Sequence, residues 1–366
     1  RVTFPRPQAI DAVRAAVQLN VGPLVVPLTR AQYNNSNRNT YPLPPKLFSH
    51  NDQQSIWQSS SPEGSTIGWG GNLGDLAMAS NSNSLFTCIS ATGNSVFLVG
   101  DSALQYQVGT TGAVPINGVK AAVNGSVAVK NALTTLIQQS RPHTLENEYN
   151  RVTQRSIAAE AQITAALAGV SLATVFPSGN SLADQLKIVA RLIAARNTLG
   201  SRRQVFLVSL GGFDLHDNLI AQQPGLLSGV SAAMTAFYNA TLEMGLADKV
   251  TSFTTSDFGR TLSSNGEGSD HGWGGHHLIV GGAVKGKAVY GTPPPVSISD
   301  TSSPNDQWHV GQGRLLPSTA VDQYAATLAR WFGVSDTEMA GVLPNIGHFG
   351  AAGGRADYPT DLGFLA

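Results

Sequence analysis

The chain has 366 residues, and its 23 Lys and Arg residues balance 23 Asp and Glu residues, so the formal net charge is zero. Without a cationic field, neither a nucleic-acid partner nor binding to an acidic membrane surface is expected. Charged residues make up 13% of the chain, against roughly 25% in an average globular domain, a composition common in exported proteins. The single cysteine, Cys88, excludes an internal disulfide, and no apolar run is long enough to cross a bilayer.

The first half of the chain is predicted to hold a short helix, a small β region and a long helical region. Residues 7–19 (PQAIDAVRAAVQL) have helical spacing, and residues 21–27 (VGPLVVP) follow as a strand. Alternating apolar and polar residues over 84–110 predict a small antiparallel β section. Apolar spacings of three and four predict helices over residues 121–199.

The second half alternates strands and helices. Strand 204–210, helix 226–246 and strand 250–257 are followed by strand 277–282. A strand, a crossover helix and another strand imply parallel pairing with a right-handed connection. We therefore predict an α/β fold with a central, mostly parallel sheet that is flanked by helices.

The rest of the chain adds one loop and one helix to this prediction. Residues 292–316 are rich in Pro, Ser and Gln and predict an extended surface loop. Residues 318–333 predict a closing helix. A single domain over residues 1–366 is expected.

Asp214 and His216 follow the strand 204–210 and two glycines. In open α/β sheets, ligands lie beyond the carboxyl ends of strands, so both side chains are candidates for a site there. A carboxylate with a neutral imidazole suits zinc or manganese. The same residues are also explained if Asp214 caps the next helix and His216 bonds to a loop carbonyl. The local motif leaves both interpretations open.

Asp257 ends the next strand, and Arg260 lies three residues later. The Arg260 guanidinium either clamps an oxyanion or pairs with Asp257 itself. Neither interpretation is excluded by the sequence.

The glycine-rich loop that follows holds more metal-ligating residue types than one ion can use: Asp270, His271, His276 and His277. His277 is expected to be partly buried because it adjoins the strand LIVGG. His271, in the sequence DHG, is freer to reach inward.

Ser49, His50 and Asp52 stand at the start of a predicted helix. Free backbone amides at a helix start attract anions, and a hydroxyl there can act as a nucleophile when a metal or a base activates it. Ser49 as the helix N-cap, with Asp52 in the first turn, explains the same residues without catalysis.

Eight sequence blocks, taken in order, resemble a bacterial family known as the domain of unknown function 1501 family. The similarity covers nearly the whole chain. The blocks are NVGPLVVP, LFSHNDQQSIWQSS, GWGGNLGDL, VSLGGFDLHDN, TTSDFGRT, DHGWGGHHLIVGGAVKG, GRLLPSTAVDQYAATLARWFGV and VLPNI. That family is grouped with the alkaline phosphatase and sulfatase superfamily, and its members commonly carry a twin-arginine export signal. The resemblance therefore implies a periplasmic or secreted protein.

The resemblance also implies a large central sheet with two metals at the strand ends and a nucleophile at a helix start. Asp214 and His216 then correspond to ligands of one metal, completed by His276 or His277, and Asp257 corresponds to the aspartate of the second metal. The expected cofactor is a divalent metal, zinc or manganese first and calcium as a further candidate. Ser49 falls roughly at the position of the nucleophile.

The chain departs from this pattern in two places. In the superfamily, the aspartate that corresponds to Asp257 is usually followed by histidine, but Phe258 stands here, so His271 is a candidate substitute from the loop. Family members usually begin with a strand that ends in a GGND-like motif, and no such segment precedes Arg1. The chain is therefore expected to be amino-terminally incomplete, cleaved, or associated with a separate amino-terminal piece, and a homo-oligomer is a further possibility.

Two hypotheses follow from the sequence. The first is an exported, metal-dependent hydrolase of phosphate or sulfate esters, with a small-molecule or glycan ester as substrate. In it, Arg260 stabilises charge on the transferred group. The second is a non-catalytic envelope or extracellular protein that keeps the fold and uses its loops for binding or assembly. The second hypothesis requires that Asp257 pairs with Arg260 and that His271 lies far from Asp214.

Overall fold

The computed structural model describes residues 14–366, which form a mixed α/β structure. In chain order, the strands are β1 Ala15–Gly22, β2 Cys88–Ser90, β3 Gln105–Gln107, β4 Val205–Leu207, β5 Thr251–Phe253, β6 Arg260–Ser264, β7 Ser269–His271, β8 Gly275–Gly281, β9 Ala288–Tyr290 and β10 Thr319–Ala320. The α-helices are α1 Arg30–Tyr33, α2 His50–Ser59, α3 Trp69–Met78, α4 Asn117–Lys120, α5 Val127–Gln138, α6 Thr144–Ala168, α7 Ser181–Ala194, α8 Arg196–Leu199, α9 Leu219–Glu243, α10 Val321–Phe332 and α11 Met339–Val342.

The largest sheet is mixed rather than mostly parallel, which corrects the prediction. Its order is β10-β1-β8-β5, with β9 also paired to β1. β1 pairs antiparallel with β8, and β8 pairs antiparallel with β5, whereas β10 and β9 run parallel to β1. β4 lies in another sheet, so helix α9 connects two sheets and does not link neighbouring strands of one. The rule for crossover connections did not apply because it assumes that both strands share a sheet.

The predicted antiparallel section over 84–110 is also wrong. Only Cys88–Ser90 and Gln105–Gln107 are strands there, and both run parallel to their neighbours in the order β3-β2-β4. The third strand, β4, lies about 100 residues later in the chain, so the pattern of apolar and polar residues over 84–110 could not predict it. A separate two-stranded antiparallel sheet joins β6 to β7.

The predicted helix over residues 7–19 begins outside the described residues, and from Ala15 onward the chain is strand β1. β1 lies between β8 on one side and β9 and β10 on the other, so its ladder partners decide its conformation. Tertiary pairing has overridden the helical preference of Ala and Gln. The predicted strand over 21–27 stops at Gly22.

The other helical predictions hold. Helices α5, α6, α7 and α8 lie within residues 121–199, and α9 and α10 cover most of the two later helical segments. The side chain of Asn180 caps α7 by accepting from the backbone N–H of Ala183 at 3.1 Å. None of the helices in residues 14–366 combines the length and apolar character that a bilayer-spanning helix needs.

Residues 292–316 are only partly the extended surface loop that was predicted. The 3₁₀ helix Pro304–Trp308 forms within them, and Asp306 and His309 are buried. The second half of the segment is therefore packed against the body of the protein.

The described apolar core has two large clusters. The first surrounds helix α10 and the strands of the largest sheet and includes Trp69 and Tyr324. The second joins helices α6, α7 and α9 to strand β2 and includes Ile163 and Phe237. Both clusters anchor elements whose ends carry the polar residues described below.

Alanine substitutions at two helical glycines are expected to change the stability of the fold in opposite directions. A Cβ on Gly71 in α3 would lie 2.0 Å from the carbonyl carbon of Val99, whereas a Cβ on Gly225 in α9 would meet nothing within 4 Å. We expect Gly71→Ala to destabilise the fold by about 1–3 kcal/mol through overpacking. Gly225→Ala should instead stabilise it by about 0.5–1 kcal/mol through helix propensity. Urea denaturation midpoints measure both changes, and equal stability of the two variants would contradict this packing.

Candidate metal centre

His50 is the first residue of α2, and the chain enters this helix through an unusual backbone. Lys46 and Phe48 both have positive φ angles, 42° and 74°. This conformation is unfavourable for residues other than glycine and is often found at functional sites. Ser49 is the N-cap residue, and its hydroxyl donates to Asp52 at 3.0 Å. The turn thus brings His50 to the start of the helix with its ring directed at two carboxylates.

The His50 ring bridges the ends of two other chain segments. Its Nδ1 lies 2.7 Å from Asp257 Oδ2, and its Nε2 lies 3.2 Å from Asp214 Oδ2. Gln54, one helical turn later, donates to the same Asp257 oxygen at 3.0 Å. Asp257 therefore binds the Nδ1 side of the ring, and Asp214 faces the Nε2 side.

Two further imidazoles lie against Asp214. The Nε2 atoms of His216 and His271 are each 3.2 Å from Asp214 Oδ1 and 3.1 Å from one another. His271 Nδ1 donates to the main-chain oxygen of Phe48 at 2.7 Å. In the neutral ring, this bond leaves the Nε2 lone pair of His271 facing the cluster.

All three imidazoles share one orientation. In each ring, Nδ1 faces an oxygen that can accept a hydrogen bond, and Nε2 faces Asp214. For His216, the outer oxygen is Asp270 Oδ1 at 3.4 Å. Protein metal sites commonly use this arrangement, in which an outer carboxylate or carbonyl fixes the tautomer of each ligating histidine.

The separations of these atoms are close to those between neighbouring ligands of a small metal site. With zinc–ligand distances of 2.0–2.1 Å, neighbouring ligand atoms lie about 3.3–3.4 Å apart, close to the observed 3.1–3.2 Å. His50, Asp214 and His271 each offer a ligand atom within 4.8 Å of the others. A carboxylate combined with imidazoles is a donor set for zinc or manganese, whereas calcium prefers oxygen ligands throughout.

Arg260 pairs with Asp214, not with Asp257 as one interpretation of the sequence required. Its guanidinium donates to Asp214 Oδ1 and to the main-chain oxygen of Ser269, and its Nε donates to Ser269 Oγ at 3.3 Å. Strand β6 thus places a permanent cation beside the cluster.

These contacts shift the pKa values of the two central groups in opposite directions. Burial raises the pKa of Asp214, but hydrogen bonds from Arg260 and His50 outweigh it, so the net pKa is lowered. The hydrogen bond to Asp257 is the largest influence on His50 and raises its pKa above 6.5, against a smaller opposing effect of burial. The two carboxylates thus favour the protonated form of the His50 ring.

His276 and His277, both predicted as metal ligands, lie outside the cluster. Consecutive residues of strand β8 point to opposite faces, so the two cannot converge on one ion. His276 Nδ1 accepts from the backbone N–H of Asn20 at 3.0 Å. His277 is buried against Trp57, with ring centroids 4.8 Å apart, and burial lowers its pKa to about 3.

Of the other predicted residues, Asp214, His216 and His271 come together, and Asp257 supports the group through His50. The sequence interpretation missed His50 and Gln54 as members of the site. The signal for His50 was present, since it adjoins Ser49 at a helix start, but the hydroxyl was chosen as the functional group.

Phe258 forms one wall of the cluster. Its ring stacks on His271 at 4.3 Å between centroids and lies 4.8 Å from the His50 ring. The residue that departs from the superfamily pattern thus contributes an apolar surface against two of the imidazoles.

Arg314 also belongs to the surroundings of the site. Its Nε donates to the main-chain oxygen of His271 at 2.9 Å, and its guanidinium lies over the Phe48 ring at 4.7 Å. The His271 ring is hydrogen-bonded to the Phe48 carbonyl, so the contacts of Arg314 with both residues help to fix their positions.

The raised pKa of His50 predicts a pH-dependent contribution to stability in the chelator-treated protein. A raised folded-state pKa stabilises the fold below the unfolded value of 6.5, and this contribution disappears as pH rises through the folded pKa. Asp257→Asn should therefore destabilise the protein at about pH 6 and cost progressively less at higher pH. NMR titration of the His50 ring should show its pKa falling toward 6.5 in this variant. A His50 pKa that does not change would contradict the assigned contact.

Comparison with known proteins is consistent with this sequence pattern but does not name an activity. No curated protein and no solved structure matches the chain. The family described as "Protein of unknown function (DUF1501)" matches residues 5–344, which is most of the chain. The chain belongs to the DUF1501 family.

Proposed function

We propose that the protein is a metal-dependent hydrolase of phosphate or sulfate esters, with one divalent ion held by Asp214, His216 and His271 and with His50 at the same centre. The observation that carries the proposed metal centre is the orientation of the three imidazoles: each Nε2 lies 3.2 Å from an Asp214 oxygen, and the Nδ1 atoms of His50 and His271 are held by oxygen acceptors. Hydrogen bonding among the side chains alone does not require all three rings to converge on one carboxylate.

Zinc or manganese at this centre supplies Lewis-acid polarisation of an ester oxygen and activation of water. Asp257 accepts from His50 Nδ1 and from Gln54, so Nε2 is the His50 nitrogen that faces Asp214 and the proposed ion. Arg260 is anchored by Ser269 and lies against Asp214, where its charge can stabilise a developing oxyanion.

The attacking group in this proposal is water. The Ser49 hydroxyl, which the sequence suggested as the nucleophile, donates to Asp52, a carboxylate that is 2% exposed. That contact gives Ser49 a structural role at the helix start.

Two observations count against the non-catalytic alternative. It required a pair between Asp257 and Arg260, but Arg260 pairs with Asp214. It also required His271 to lie far from Asp214, but the two are 3.2 Å apart. We further propose, from the family resemblance and the low charge content, that the protein has an alkaline phosphatase-like arrangement and acts in the periplasm or outside the cell.

Metal binding is the first test. Chelator-treated protein should bind zinc or manganese in calorimetry, and Asp214→Asn or His271→Ala should abolish most of this binding because each removes a ligand. Asp257→Asn should weaken it by about 10–100-fold, the usual effect of losing an outer partner.

His276→Ala is the matched control for metal binding, since His276 is a histidine of the same segment that faces away from the cluster. It should bind metal like the wild type. Undiminished binding in Asp214→Asn, or loss only in His276→Ala, would contradict the proposed centre.

Activity toward aryl phosphates and aryl sulfates is the second test. Arg260→Gln should lower kcat/KM by about 10²-fold through lost charge stabilisation, with metal content measured in the same preparations. Arg355→Gln, at an arginine that contacts Tyr358 instead, should have no effect. If metal-loaded wild type hydrolyses neither ester class, the ester-hydrolase proposal fails even where metal binding is retained.

A further inference from the structure

Helix α6 carries an apolar stripe, interrupted by Ser156, whose two halves have different surroundings. The stripe has heptad spacing over residues 145, 149, 152, 156, 159, 163 and 166. In the second half, Ala159, Ile163 and Ala166 are buried in the core. In the first half, Leu145 and Tyr149 are 75% and 71% exposed.

The exposed half is apolar at three of its four positions, since Val152 is also 44% exposed and only Ser156 is polar. Helix α5 does not cover this stripe. It contacts α6 on another side, where Asn150 donates to the main-chain oxygen of Gln139 at 2.6 Å. A regular heptad stripe that is buried along one half and solvent-exposed along the other indicates a surface that packs against another helix.

The charges beside the exposed half are self-complementary. Glu146 and Glu148 lie before Arg151 and Arg155 along the same helix. In a parallel pair of α6 helices, Glu148 would come beside the uncharged Thr153 of the other copy and gain no charged partner. In an antiparallel pair, Glu148 of each copy comes beside Arg155 of the other, next to the apolar stripe. Charges that flank an apolar seam in this way set the orientation of helix pairs.

We propose that the exposed half of α6 is a dimer interface, in which α6 of a second copy of this chain packs antiparallel about a two-fold axis between Tyr149 and Val152. The heptad spacing then places Tyr149 against Val152 of the second copy and Leu145 against Ser156. The contact is isologous, because each copy presents the same surface to the other. It is independent of the proposed hydrolase activity, since none of these residues belongs to the metal centre.

Within one copy, Glu148 lies 3.7 Å from Arg151 and 3.1 Å from Arg155. These pairs are exposed and contribute little to the stability of the monomer. Charge reversal there should therefore leave the fold intact, which far-UV circular dichroism and the melting temperature verify.

A charge-reversal exchange tests the proposal by sedimentation velocity. The wild type should associate reversibly to a dimer, and Glu148→Lys or Arg155→Glu alone should weaken self-association by at least about tenfold through like-charge repulsion. An equimolar mixture of the two variants should restore the dimer, because both basic side chains of the first variant then face acidic side chains of the second.

Tyr149→Glu should abolish the dimer by placing a charge in the apolar seam, whereas Val175→Glu, at an 87% exposed valine outside α6, should leave it unchanged. A wild type that stays monomeric at every concentration would overturn the proposal and leave the stripe to a different partner. A dimer that resists Tyr149→Glu, or variants whose mixture does not associate, would overturn it as well.

Discussion

The Asp214 carboxylate is the group on which the polar centre depends. When ionised it can only accept hydrogen bonds or bind a cation. Its two oxygens lie within 3.2 Å of ring nitrogens from His50, His216 and His271, and they also accept from Arg260. So much positive or donating character around one carboxylate keeps its pKa low.

Oxygen atoms around the cluster orient its three imidazole rings. Asp257, Asp270 and the Phe48 carbonyl each face the far nitrogen of one imidazole. An imidazole has two nitrogens, and fixing one determines what the other can do. The three outer oxygens thus direct the Nε2 atoms toward Asp214, and the unfavourable backbone at Phe48 is one source of that alignment.

The elements that meet at the centre belong to different parts of the fold. His50 begins a helix, Asp214 and His216 follow a strand of the three-stranded sheet, and His271 ends a strand of the two-stranded sheet. The centre is therefore positioned by how helices and sheets pack on one another. Its geometry depends on the core clusters beneath it, although none of its ligating side chains lies in them.

Local pattern was enough to find part of the site. Asp214 and His216 stand after a strand and two glycines, and His271 stands in a loop too rich in glycine to be a helix, so residue type and local conformation marked them. The same reasoning failed for His277, because a histidine in a strand can face the core as easily as a ligand, and burial beside Trp57 decided its role.

The sequence by itself determined the family, most of the helical regions and two of the four residues that contact Asp214, namely His216 and His271, because these follow from motifs and from periodicity along the chain. Only the tertiary structure decided that strands β5 and β8 pair antiparallel, that Arg260 pairs with Asp214, and that His50 completes the centre. His50 and Asp214 are 164 residues apart. Contacts between residues so far apart depend on how helices and strands pack together, and the spacing of residues along the chain does not predict that packing.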